Sequence, residues 1–312
     1  MSDIDDQKET SRPPSSFTCH LMLPPDYRQA DMLAFHQRDV QAVAERVDQE
    51  TLHKGICWDG DPACLTIAFE PGRAVATLEV DGQPKVGSQI RLEQMVRRML
   101  GLTQPVEIFE QEYAGHPLLG PLIRRRPGLR VAMTTTPFEA LTWAIIGQQI
   151  SVSAAVSIRR KLIIAADIPH RSGLLCYPDA ARIMSLEDEE LLRAGLSRTK
   201  AQTIKTLSES VVNEQLQLDQ WVENLDAEQV SERLNAVKGI GPWTVSYALM
   251  RGFGWLDGSL HGDVAVRRNL QALLGREEKI SQEETRRWLE DYSPWRALVG
   301  AHLWAIQATD GY

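Results

Sequence analysis

Cysteine is scarce, positive charge is outnumbered, aromatics are few and long apolar runs are missing, and each shortage narrows what this 312-residue chain does. Its four cysteines, Cys19, Cys57, Cys64 and Cys176, form no CxxC pair, and no histidine stands at zinc-ligand spacing from them. A disulfide scaffold and a metal module are therefore disfavoured, and reduced, mostly buried thiols are expected. No apolar stretch approaches the roughly 20 residues of a membrane span. The first sixteen residues are polar, acidic and proline-bearing, unlike a signal or transit peptide, so residues 1–16 are expected to be a disordered tail and the protein cytoplasmic. A net charge of −8 counts against a duplex nucleic acid partner, because such binding rests on lysine and arginine. That objection weakens once the charge is located: residues 1–113 carry all of it, and residues 114–312 balance to zero. Aromatics make up only 6%, yet tryptophan, with eight copies, outnumbers both tyrosine and phenylalanine.

What is present divides the chain in two. Residues 17–113 mix element types, with strands expected at 17–23, 65–70 and 74–80, an amphipathic helix over 30–47, and a closing helix over 88–102. Glu70-Pro71-Gly72-Arg73 has turn chemistry, so the last two strands should form an antiparallel hairpin. Residues 114–312 show helical periodicity broken by short Gly/Pro punctuation, with helices expected at 137–163, 188–196, 199–213, 227–237, 242–253, 263–275 and 295–307. The predicted fold class is mainly α with an N-terminal α+β domain.

The informative segment is LNAVKGIGPWTVSYALMRGFG, residues 234–254, where a helix ends at Lys238, turns through Gly239-Ile240-Gly241 and restarts at Pro242. Glycines let the backbone turn tightly and approach a ligand closely, and proline suits the first turn of a helix. The exposed amides at such a turn can hold a phosphate without net positive charge. Alone, this pattern is equally a capping turn between packed helices. It lacks the preceding strand and third glycine of a dinucleotide site, and the Gly-Lys-Ser/Thr of a nucleotide-phosphate loop. Twenty residues on, in SLHGDVAVRRNL, Asp263 stands at a helix start. By itself it is an N-cap, worth about 1 kcal/mol. The same amides and helix dipole favour its ionised form, which a carboxylate needs in order to stabilise positive charge on a sugar.

With these features the chain resembles the helix-hairpin-helix-GPD superfamily of base-excision DNA glycosylases, whose mark is this hairpin followed by the Gly/Pro-Asp segment. Within it the resemblance is strongest to the alkylation-repair type, the bacterial DNA-3-methyladenine glycosylase II. It runs from Leu23 to Trp304 through LPPDY, MLAF, RPGLR, FEALTWAIIGQQIS, the hairpin, the aspartate segment, PWR and HLW. The resemblance implies an antiparallel α+β domain followed by a two-part helical domain with the cleft between its parts. It further implies a monomer whose partner is double-stranded DNA with damaged bases. No organic cofactor is implied; a monovalent cation at the hairpin stays open.

By the same resemblance Asp263 is the catalytic carboxylate, and Gly239, Ile240 and Gly241 grip DNA. Gln149 fills the gap left by the flipped base, at a position where the alkylation-repair type has leucine; without the resemblance it reads as a buried polar residue between helices. Trp243 and Tyr247, four apart on one helix face, would meet the flipped base together with Trp304 and Phe35. Such rings also pack cores, although a cationic alkylated base gains a cation–π contribution on them. Members with lyase activity carry a lysine in the order Gly-x-Gly-x-Lys, where this chain has Trp243; Lys238 precedes the glycines, and the four-cysteine cluster of other relatives is missing. Hydrolysis without a covalent lysine intermediate is the expected reaction. Lys200, Arg198 and Arg124-Arg125-Arg126 are candidate phosphate contacts, a solvated face being the alternative for each. Three rival readings stay open: a glycosylase for oxidised or mismatched bases, a non-catalytic hairpin module that binds DNA, and a non-DNA enzyme on the same fold.

Overall fold

The computed structural model describes residues 15–306. An antiparallel sheet comes first, with β1 Ser15–Met22, β2 Glu45–Asp48, β3 Thr51–Trp58, β4 Asp61–Glu70 and β5 Arg73–Val80 in the spatial order β1-β5-β4-β3-β2. The hairpin forms as expected: Glu70 pairs with Arg73 across Pro71-Gly72, and Gly72 supplies the positive φ of 73°. Along β5, Ala74, Ala76, Leu78 and Val80 are buried in alternation. Helix α2, Ser88–Met99, lays Leu92, Met95, Val96 and Met99 on the same core. Most of the expected tail lies outside the described residues, but Ser15 and Ser16 belong to β1, paired with Val80 and Glu79.

The expected helix over 30–47 is corrected. Helix α1 covers only Gln29–His36, the chain turns with Ala42 at φ 49°, and Glu45–Asp48 becomes edge strand β2. Tertiary contacts override the helical pattern here, because Glu45 pairs in register with Lys54 and carries its carboxylate into a buried ion cluster. Strand β3 was not legible as a strand, since Lys54 occupies a buried position that an apolar residue would normally mark.

The helical part comprises α3 Val106–Tyr113, α4 Leu119–Arg125, α5 Pro137–Gly147, α6 Val152–Ala166, α7 Ala180–Ser185, α8 Asp188–Arg193, α9 Arg198–Val212, α10 Leu218–Glu223, α11 Ala227–Asn235, α12 Pro242–Ala248, a π-helical turn Leu249–Phe253, α13 Val264–Leu273, α14 Gln282–Glu290 and α15 Arg296–Trp304. The continuous run expected over 137–163 is split: α5 stops at Gly147, Gln149 takes a left-handed φ of 58°, and Ser151 caps α6 by accepting from the Ala154 amide. No helix among the described residues is long and apolar enough to cross a membrane.

Two helical cores result. One joins α5 to α11 through residues such as Leu141, Leu162, Ile204 and Leu234. The other joins α3 and α4 to α13–α15 through Phe109, Leu270, Leu289 and Leu298. Helix α12 and its π-helical turn run between them, sending Val245 and Leu249 into the first core and Tyr247 and Met250 into the second. Trp143 of α5 packs against both. Helix α12 therefore forms the boundary between the two cores, where the resemblance puts the cleft.

The sheet domain is fastened to this helical body by charge. Lys54 Nζ, 1% exposed, donates to Glu139 Oε1 of α5 at 2.7 Å and to the Glu45 carboxylate. Arg159 of α6 reaches Glu139 at 2.9 Å and Glu45 at 3.0 Å, while His36 Nδ1 lies 2.9 Å from Glu45. Burial pushes the Glu45 carboxyl up, but Arg159 and Lys54 overcome it and hold the group well below the usual carboxylate range. Glu139 is likewise held low, by Lys54 first among the cations.

Candidate active site

Asp263 is the N-cap of α13, and its Oδ1 accepts from the Ala265 and Val266 amides at 2.8 and 3.0 Å. The capping role read from the sequence is therefore real, and it fixes the carboxylate. Two further donors come from the cleft walls: Trp304 Nε1 of α15 reaches Oδ1 at 3.1 Å, and Trp243 Nε1 of α12 reaches Oδ2 at 3.2 Å. All four donors are neutral N–H groups, and among the described residues no cation pairs with Asp263. Its charge is oriented and left uncompensated. The side chain is half-buried.

The aromatic residues gather round it. Trp243 and Tyr247 lie with ring centroids 5.4 Å apart, and Tyr247 and Trp304 6.4 Å apart. Trp243 and Trp304 are partly buried, whereas Tyr247 is 7% exposed and serves more as the wall behind them. Phe35 joins this group through charge. The Arg251 guanidinium sits 4.6 Å from the Phe35 centroid and 5.6 Å from that of Trp304, and the Arg38 guanidinium sits 4.4 Å from Phe35. Phe35, expected to offer a stacking face to a base, is instead a buried ring contacted by two arginines.

The hairpin flanks the site. Helix α11 ends at Asn235, three residues earlier than expected, and the turn then runs to Pro242. Gly239 is required twice over: its φ is 93°, and a Cβ there would fall 2.0 Å from Thr203 Oγ1. Gly241 has no atom within 4 Å of where its Cβ would stand, so it leaves open space beside the first turn of α12. Ile240 does not offer its side chain to DNA; it is 5% exposed and part of the first helical core.

Gln149 is exposed rather than buried, at the tip of the turn between α5 and α6. That turn is braced from two sides. Lys200 Nζ donates to the Ile146 and Gln148 carbonyls at 2.9 and 2.7 Å, and Gln148 Nε2 donates to Gly239 O at 3.1 Å and Thr244 Oγ1 at 3.0 Å. Lys200, expected as a phosphate contact, holds the turn with two of its three N–H donors, and burial lowers its pKa. A left-handed non-glycine residue costs on the order of 1 kcal/mol, and this bracing is what holds it. Arg198 and Lys238 are exposed near the same edge. Arg124 donates to Ala114 O at 3.2 Å, and Arg126 lies 3.7 Å from Asp31.

Three cleft residues escaped the sequence reading. Trp143 lies in an almost uniformly apolar helix with no face to single it out. Arg38 was taken for part of a long amphipathic helix. Arg251 had a usable signal, an arginine inside the apolar stretch YALMRGF; it is 1% exposed and donates to Ala132 O at 2.6 Å.

Residues 18–136 match the AlkA N-terminal domain, and residues 142–294 match the HhH-GPD superfamily base excision DNA repair protein. DNA-3-methyladenine glycosylase 2 of Escherichia coli is 26% identical over 60% of this chain and 63% of its own length. A Mycobacterium tuberculosis protein described as a probable bifunctional transcriptional activator/DNA repair enzyme AlkA is 27% identical over 67% of this chain, a match that spans only 41% of the relative. In fold, the chain is similar to 3-methyladenine DNA-glycosylase from Archaeoglobus fulgidus, with a TM-score of 0.76 at 23% identity over 92% of this chain and 97% of that one. With the two family models together matching most of its length, and with the hairpin and capped aspartate in place, the chain belongs to the HhH-GPD superfamily of base excision DNA repair proteins.

Proposed function

We propose that this protein is a monofunctional DNA glycosylase, a monomer of the cytoplasm that hydrolyses the N-glycosidic bond of alkylated bases in duplex DNA. The observation that carries the reading is Asp263, a carboxylate held by four neutral N–H donors, two of them from partly buried tryptophans, with no cation paired to it among the described residues. A cleaving glycosidic bond leaves oxocarbenium character on the sugar, and a fixed, uncompensated anion stabilises it and orients the attacking water. Relatives named as DNA-3-methyladenine glycosylases support the substrate class.

Reaching a base within a duplex requires rotating the nucleotide out of the stack, at a cost of a few kcal/mol. In this reading Gln149, exposed on its braced turn, fills the vacated space, and the hairpin amides at Gly241 and beyond are the phosphate contacts that hold the strand. Trp243 and Trp304 stack on the extruded base. Trp243 stands where a lyase would carry its amine nucleophile and offers none, so no Schiff base forms.

Incubation with methylated duplex DNA, followed by chromatography of the released bases, tests activity and substrate class together. Free methylated purines are expected, and an unchanged duplex overturns the reading. Borohydride added during turnover should capture no covalent complex; efficient capture would overturn the monofunctional part alone.

A further inference from the structure

Helix α13 carries a polar residue on a core face that is otherwise apolar. Asn269 is 1% exposed and buried beside Val266 and Leu270, which belong to the second helical core. Its Nδ2 donates to the Leu303 carbonyl of α15 at 2.8 Å, while its Oδ1, equally buried, accepts from no donor among the described residues. A leucine at this position would fill similar space without a buried orphan acceptor, so the amide gains little stability over an apolar side chain. What the amide holds is the residue next to Trp304, whose Nε1 donates to Asp263 Oδ1 at 3.1 Å.

Two hydrogen bonds therefore tie α13 to α15 through consecutive residues of α15, and Asp263 and Asn269 are separated by about 9 Å of helix. Elsewhere α15 presents Gly300 to Leu260, where a Cβ would stand 3.0 Å from Leu260 Cδ1. Apolar packing of this kind has no direction and tolerates sliding of one helix along the other. A side-chain bond to a backbone carbonyl does not, because it weakens steeply with angle and distance. The Leu303 carbonyl lies in the last turn of α15, where helix carbonyls run short of intrahelical donors, and it accepts from Asn269 together with the Ile306 amide at 3.2 Å.

We infer that Asn269 is a positioning residue, setting the register of α15 on α13 and thereby the place of the Trp304 indole against Asp263. The inference rests on the glycosylase reading for its effect on base release. The Ala265 and Val266 amides fix Asp263 from its own helix, so losing the Asn269 amide leaves the carboxylate in place and displaces the indole that shares Oδ1. The loss then falls on the chemical step and not on DNA affinity.

Indole N–H resonances of isotope-labelled protein read this placement without catalysis, the Trp304 signal being assigned by its absence in Trp304→Phe. In Asn269→Leu that signal should move upfield as its bond to the carboxylate lengthens, while the signals of Trp58 and Trp221, which pack in the other two cores, stay. Single-turnover release from a methylated duplex should fall about threefold to tenfold, the range for one hydrogen bond, with affinity for an abasic-site duplex unchanged. Trp304→Ala leaves no indole to place, so adding Asn269→Leu to it should cost nothing further. A Trp304 signal that stays, or losses that multiply in the double variant, overturns the inference. Should Asn269→Leu fail to fold, Asn269→Ala carries the same comparison. If the wild type releases no base, the glycosylase reading fails, and the indole spectrum still decides whether Asn269 places Trp304.

Discussion

Two regions of this molecule hold carboxylates in fixed positions, and they do so in opposite ways. At the seam between sheet and helices, Glu45 and Glu139 are buried against Lys54 and Arg159, so that each negative charge is consumed by a cation. In the cleft, Asp263 is held at least as firmly, but by backbone amides and indoles that carry no charge. The first arrangement makes a joint, and the second keeps a charge for use. A buried carboxylate is therefore not in itself a catalytic signal; the nature of its donors decides. The seam costs desolvation at every ion and returns orientation between domains, whereas the cleft leaves its field to be answered by a substrate.

Substitutions should divide along this line. Asp263→Asn has the largest expected effect on turnover, a loss of at least about a thousandfold in base release with DNA binding retained. Asparagine still caps α13 through its carbonyl oxygen, so the melting temperature should change little, since these caps differ by well under 1 kcal/mol. Near-normal release by that variant would remove Asp263 from catalysis. Lys54→Met should do the reverse. It leaves Glu45 and Glu139 buried with one cation fewer, at a cost of about 3–5 kcal/mol, while the protein that stays folded keeps most of its rate. Chemical denaturation and single-turnover assays on the same preparation read both quantities; a variant as stable as wild type would mean that Lys54 is not the fastening.

Acid should open the seam in two stages. His36 is buried, and burial lowers its pKa, so its unfolded form takes up a proton below about pH 6.5 while its folded form resists, and stability falls as pH drops below that value. Glu45 and Glu139 act in the same direction at lower pH: held low by their cations, they contribute stability that is complete above about pH 4.3 and lost as pH falls through their folded values. His36→Gln should remove the first stage only, at most about 1.4 kcal/mol per pH unit, in melts followed downward from neutral pH. A first stage that persists in the variant would place the titration elsewhere.

The contrast also explains what the sequence could disclose. Asp263 was legible because its pattern is local: a glycine, an acid and a helix start lie in one segment, and the hairpin twenty residues earlier punctuates the chain in the same way. The β4–β5 hairpin was legible for the same reason, through Pro71-Gly72. The seam was invisible, because Lys54 and Glu139 are 85 residues apart and each looks like an ordinary surface charge until the fold buries it. The misassigned helix over 30–47 and the hidden strand β3 are consequences of that joint, since its buried charges stand where the patterns call for apolar side chains. Arg38 was missed with them, and Trp143 was missed because a helix buried on nearly all sides has no informative face.

The smallest expected effects resolve the cleft itself. Oδ1 of Asp263 accepts from two amides and Trp304, whereas Oδ2 accepts from Trp243. Trp243→Phe and Trp304→Phe each remove an indole N–H and similar stacking area, so the difference between them isolates the hydrogen bond. Losing the Trp304 donor leaves Oδ1 fixed by the helix amides, and base release should fall only about threefold, the low end for one hydrogen bond. Losing the Trp243 donor leaves Oδ2 with no other donor among the described residues, and the loss should be about tenfold or more, as for a hydrogen bond to a charged group. Single-turnover release from one methylated duplex measures both. Equal losses would mean that the tryptophans act through stacking alone and that the amides of α13 suffice to aim the carboxylate.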